Sequence, residues 1–148
     1  MKKFLFLLLF IISVIHAEAQ QTTGTEPSAN KNHKSKRDIS NEKIHYGTAS
    51  FYANKFEGRE TANGEIFSQE KLTAASNILP INHWVRVTNM KNNLTVVLRI
   101  NDRMHKNNKR LIDLSKSAAK KLKYTGSGLA HVKVEVLGKM RPAGIAKE

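Results

Sequence analysis

Apolar and polar residues alternate with a period of two in four short segments between His45 and Val136, and one stretch of that region repeats at clear helical spacing. Period two sends successive side chains to opposite faces of a strand, so each segment has a face to bury and a face to hydrate. His45 to Tyr52 interleaves small residues with Tyr46, Phe51 and Tyr52, and Trp84 to Thr88 sets Val85 and Val87 against Trp84, Arg86 and Thr88. Leu94 to Ile100 is rich in Val, Leu and Ile. It follows its predecessor through Lys91-Asn92-Asn93, whose asparagines tolerate the positive φ of a tight hairpin. His131 to Val136 places Val132, Val134 and Val136 on one face and Lys133 and Glu135 on the other. The clear helix is capped by Ser115, presents Ala118, Ala119 and Leu122 as its apolar stripe and stops by Gly126; a second helical turn is expected around Gln69 to Ala75. Short strands, one good helix and no βαβ rhythm predict a mainly β chain closed into a small barrel.

The first residues read as an export leader. Lys2 and Lys3 give a positive start, Phe4 to Ile15 an apolar stretch, and Ala17 and Ala19 the small residues a signal peptidase accepts. Residues 1–19 are therefore expected to be removed, leaving Gln20 first. The apolar stretch is shorter than the roughly 18–20 residues that span a bilayer. The chain contains no cysteine, which excludes disulfide staples and leaves nothing at the cleavage site to carry a lipid. The processed chain is expected to be soluble, periplasmic or extracellular, with no stable membrane insertion. Residues 20–43, with Ile39 as their one apolar branched residue, read as a disordered linker, residues 44–138 as the folded domain and residues 139–148 as a flexible tail.

Lys and Arg number 25 against 12 Asp and Glu, a formal charge of +13. Such a balance attracts polyanions, which for an exported protein means anionic envelope polymers or the carboxylate-bearing peptides of peptidoglycan. Nucleic acid is not an expected partner, because no recognition helix, zinc-finger spacing or RNP-type string is present. His33, His45, His83 and His131 lack metal-ligand spacing, so no metal is expected, and no cofactor is indicated. A serine nucleophile elbow, a P-loop and a dinucleotide fingerprint are all missing.

Two acidic residues stand in unusual polar strings. Glu65 lies in GRETANGEIF, residues 58–67, and Asp102 in VVLRINDR, residues 96–103, with RLIDLS following at 110–115. Asp102 comes just after an apolar strand, where partial burial favours the protonated carboxyl, while Arg99 and Arg103 favour the charged one. The sequence leaves that balance open.

Taken in order, GTASFYANKFEGRETANGEIF, LTAASNILP, WVRVTN, VVLRINDR, RLIDLSKSAAKKL and GLAHVKVEVL closely resemble the core of the rare lipoprotein A (RlpA) family. The resemblance implies a six-stranded double-psi β-barrel with one or two short helices, a choice that periodicity alone does not make over an OB-like or SH3-like barrel. It also implies an endolytic lytic transglycosylase, which cleaves peptidoglycan glycan strands and leaves a 1,6-anhydro end.

By the family's motifs, the catalytic aspartate falls on Asp102 and an active-site glutamate on Glu65. The family's usual TAAH histidine is replaced by Ser76, expected as a polar neighbour of the site, and its Gly-Pro after NDR by Met104-His105. His105 is a candidate compensating imidazole. Tyr52, Arg59, Asn63, Arg86 and Arg103 are candidates for the substrate groove, and Asp113 reads as a structural acid before the helix. The rival class is a non-catalytic, expansin-like peptidoglycan-binding module, which the missing histidine fits. A barwin-like defence barrel depends on disulfides that this chain cannot make. No recruiting division protein is identifiable from the sequence.

Overall fold

The structure is a computed structural model and describes residues 43–145. The expected leader and most of the expected linker lie outside the described residues. Six strands close into a barrel: β1 (Ile44–Phe51), β2 (Thr73–Ala75), β3 (Trp84–Asn89), β4 (Thr95–Asp102), β5 (Ile112–Leu114) and β6 (Ala130–Gly138), in the spatial order β1-β5-β2-β4-β3-β6. β1 runs parallel to β5 and β2 parallel to β4, and the other contacts are antiparallel. Closure leaves no free sheet edge, which suits a domain without disulfides. Among the described residues no helix is long and apolar enough to cross a membrane.

The alternating segments bury the faces their periods assign. Val85, Val87, Val96, Leu98, Ile100, Val132 and Val134 point into the barrel with Ile112, Leu114 and Leu79. Gly47 lets β1 pass close to Leu111, because a Cβ there would lie 2.7 Å from the Leu111 Cβ. The β3–β4 hairpin turns on Asn93, which has φ 58°, as asparagine tolerates.

Two elements differ from expectation. Thr73–Ala75 is a strand and not part of a helical turn; all three residues are buried between β5 and β4. A strand covered on both sides shows no alternation, so its Ala-Ala pair reads equally as helix. Helix α1 (Lys116–Lys121) does begin at Ser115, whose hydroxyl accepts from the Ala118 amide, but its left-handed stop is Lys123 at φ 52° and not Gly126. Buried Tyr124 explains the early stop. Its hydroxyl donates to the Ser50 carbonyl at 2.8 Å, which pulls the chain off the helix axis. The freed Leu122 carbonyl is capped from the hairpin by the side-chain amides of Asn89 and Asn92. Beyond β6, Arg141 lays its guanidinium 5.3 Å from the Trp84 ring, so Trp84 is packing and not an open platform.

Candidate active site

A one-residue slip in the β2–β4 pairing creates the site. Ala74 pairs with Ile100, but Ala75 pairs with Asp102, so Asn101 is the extra residue of a bulge. Ala75 also pairs with Asp113, and Asp113 with Ser50. Directly opposed residues share a sheet face. Ser50, Asp113, Ala75 and Asp102 therefore form a row across β1, β5, β2 and β4, with the small Ala75 between two carboxylates. Above it lies an open groove of about 710 Å³. One stretch of chain lines it with Tyr52, Lys55, Phe56 and Arg59, and another with Asp102, Arg103, Met104, His105, Asn108, Arg110 and Asp113.

Asp102 is held at both oxygens. Oδ1 accepts from the backbone amides of Ala62 at 2.9 Å and Arg103 at 2.8 Å, and Oδ2 accepts from the Tyr52 hydroxyl at 2.7 Å. The Tyr52 ring packs against Phe67, with centroids 4.3 Å apart, and edge-on to Phe56 at 5.7 Å. Its main chain is pinned too: the amide donates to the Leu114 carbonyl, and the carbonyl accepts from the Gln69 side chain. Burial, and then the carboxylates of Asp102 and Asp113, push the Tyr52 phenol far above its ordinary range, so it remains a neutral donor at any working pH.

Glu65 is not part of this groove. Arg99 grips its carboxylate at two points, 2.7 and 2.8 Å, and the Asn101 side chain adds a third contact at 3.2 Å. The Arg99 hydrogen bonds are the largest cause holding Glu65 below the usual carboxylate range, against a smaller opposing effect of burial. Glu65 closes a tight turn in which its carbonyl accepts from the Thr61 amide and Gly64 adopts φ 87°. That turn presents the Ala62 amide to Asp102. Asn63 belongs to the same turn and not to the groove: its Oδ1 accepts from Thr61 Oγ1, and its Nδ2 donates to Asn82.

The remaining predicted residues divide. Arg59 lines the groove, its guanidinium 5.4 Å from the Phe56 ring. Arg103 lines it as well, but its guanidinium is spent on the carbonyls of Ser76 and Leu79. Ser76 is fully buried: its hydroxyl donates to the Leu111 carbonyl and accepts from the Leu79 amide, so it braces backbone and does not face the groove. Arg86 lies mid-strand on β3, opposite Val97 and 3.9 Å from Glu135, away from the groove. It is a groove candidate in the sequence, but the barrel's strand order sets β3 beyond β4 from the row. His105 reaches the groove, where its Nδ1 accepts from the Asn107 amide.

Asp113, read from the sequence as a structural acid, is also brought to the groove by the register. Its oxygens accept from Ser50 Oγ at 2.6 Å, Arg110 at 2.8 and 3.0 Å and Asn108 at 3.2 Å. The RLIDLS string carries both Arg110 and Asp113, but only the pairing of β5 with β2 reveals their place. Among the described residues no cluster of three His, Cys, Asp or Glu side chains could hold a metal ion.

A closed six-stranded mixed barrel with a groove over one end of its parallel pairs defines a double-psi β-barrel protein. The lytic transglycolase family matches residues 44–134, and the chain belongs to that family. It is 48% identical over 91 residues to the endolytic peptidoglycan transglycosylase RlpA of Pasteurella multocida, a match covering 62% of this chain and 31% of that protein. To the protein of the same name in Pseudomonas aeruginosa it is 52% identical over 89 residues, covering 60% of this chain and 26% of the other. The chain thus spans about a third or less of the length of these curated relatives. Among solved structures, the Streptomyces papain inhibitor superposes with a TM-score of 0.52 at 19% identity, covering 63% of this chain and 93% of its own. An expansin of Clavibacter michiganensis superposes at 0.51 and 21% identity, covering 68% and 52%. These two share the fold.

Proposed function

We propose that the chain is an endolytic peptidoglycan lytic transglycosylase that cleaves glycan strands between N-acetylmuramic acid and N-acetylglucosamine during cell-wall remodelling. The observation that carries this reading is Asp102: a carboxyl group on the lining of an open groove, with one oxygen fixed by two backbone amides and the other by a single hydroxyl. Breaking the glycosidic bond requires a proton on the leaving oxygen and support for oxocarbenium-like charge at the sugar. Asp102 delivers that proton and then takes one from the muramic 6-hydroxyl as it attacks its own anomeric carbon. One acid/base group serves both steps, and no water is consumed. Glu65 acts at one remove, through the turn that carries the Ala62 amide. Arg59 and the aromatic Phe56 beside it supply the flank of the groove, and Arg103 secures the loop beneath. The reading of an export leader supports action outside the cytoplasm, in the periplasm or beyond.

One observation favours a non-catalytic, expansin-like wall-binding module: Ser76 stands where the family pattern has a histidine, and its hydroxyl is committed to backbone. Digestion of purified glycan strands separates the two readings. Mass spectrometry detects 1,6-anhydromuramyl ends if the chain is a lytic transglycosylase; retention on wall sacculi without such ends identifies the module.

A further inference from the structure

We propose that Tyr52 is a positioning residue for the acid/base group: it restricts the transferable proton of Asp102 to Oδ2 and reverses its own hydrogen bond as that proton leaves and returns. This rests on the transglycosylase reading for its place in the reaction, but its geometric half stands without it. Oδ1 cannot carry the proton, because two backbone N–H groups point at it, and a backbone amide donates only and cannot turn away. Among the described residues Oδ2 meets only the Tyr52 hydroxyl, a rotor that donates or accepts as its partner requires.

The reaction then has a definite order at one oxygen. With Oδ2 protonated, Oδ2–H donates to the Tyr52 oxygen, whose own hydrogen points elsewhere, until the glycosidic oxygen arrives and takes its place as acceptor. The proton passes from Oδ2 to the glycosidic oxygen as the bond from that oxygen to the anomeric carbon breaks. Tyr52 turns its hydrogen onto the carboxylate that forms. The muramic 6-hydroxyl oxygen bonds to the anomeric carbon, its proton goes to Oδ2, and Tyr52 turns back. Atoms balance, and the enzyme ends as it began. The ring's contacts with Phe67 and Phe56 and the two main-chain hydrogen bonds hold the phenol oxygen in place, so only its hydrogen moves.

Tyr52→Phe tests this, because it keeps the ring and its packing and removes the hydroxyl alone. The other charged groups on the groove are Lys55, Arg59, Glu60, Arg103, His105 and the Arg110–Asp113 pair, and the substitution leaves all of them in place. A hydrogen bond to the carboxylate that forms is lost, so on the plateau where Asp102 carries its proton the rate falls on the order of tenfold or more, and the basic limb of the pH–rate profile moves up by about one unit, with KM unchanged. A raised KM with an unmoved limb would overturn the proposal and make Tyr52 a sugar platform. The carboxyl ¹³C resonance of Asp102 gives a reading independent of activity: at one fixed pH its chemical shift differs in Tyr52→Phe from that in the unsubstituted chain, because the donor to Oδ2 is gone, and an unchanged shift also overturns the proposal. If the unsubstituted chain makes no anhydro product yet the resonance moves, the transglycosylase reading falls and the assignment of Oδ2 holds.

Discussion

Glu65 and Arg99 meet oxygen to nitrogen at two points, so the glutamate of the ANGE string is bound to the outside of β4 while Asp102, three residues after Arg99, faces the groove. The pair works on the site through the 61–65 turn, whose Ala62 amide reaches Asp102. Replacing Glu65 with Gln keeps the shape and removes the charge. Cleavage should fall by about tenfold, the scale of one charge-assisted hydrogen bond, while sacculus binding persists. A loss as complete as that of an acid/base group would place Glu65 on the substrate instead.

The same pair has a pH signature. The Glu65 carboxyl is held below its usual range when folded, so its stabilisation is fully present above the unfolded carboxylate pKa of about 4.3 and is lost as pH falls through the folded value. Thermal melts at neutral and acidic pH should show Glu65→Gln losing less stability on acidification than the unsubstituted chain. Parallel curves would count against the fork.

Asp102→Asn should abolish cleavage, by about 10²–10⁴-fold for a general acid/base group, with folding retained. It should also lower the ionisation of Tyr52 towards the ordinary phenol range, because the carboxylate that opposes phenolate is gone, although burial continues to oppose it. Tyrosinate absorbance against pH, in a chain with three tyrosines, reads this directly. Unaltered absorbance would break the link between the two residues.

Ser76→Ala removes a buried hydroxyl and strands the Leu111 carbonyl and the Leu79 amide. The expected cost is about 1–3 kcal/mol in denaturant unfolding, with the groove's chemistry unchanged in folded protein. A neutral effect on stability combined with lost cleavage would return Ser76 to the active site.

Binding to intact wall should weaken steeply with salt, since the chain carries a formal charge of +13 and the Debye length falls to about 3 Å at 1 M. Equal retention on sacculi at low and high salt would assign the affinity to sugar contacts.

The long strands and the start of the helix were readable in the sequence because each is a local property. Val85 and Val87, Val132 and Val134 declare an inward face by alternation, and Ser115 declares a cap by what it precedes. β2 and β5 were not readable. β2 is buried on both sides and carries no period, β5 is only three residues long, and the partners of both are remote in the chain. Arg86 and Asn63 are groove candidates in the sequence, but strand order and turn geometry direct them elsewhere. Only the closed barrel decides that a bulge at Asn101 turns Asp102 to the same face as Ala75 and Asp113. Register is set by the packing of whole strands against one another, and a slip of one residue reverses every side chain beyond it.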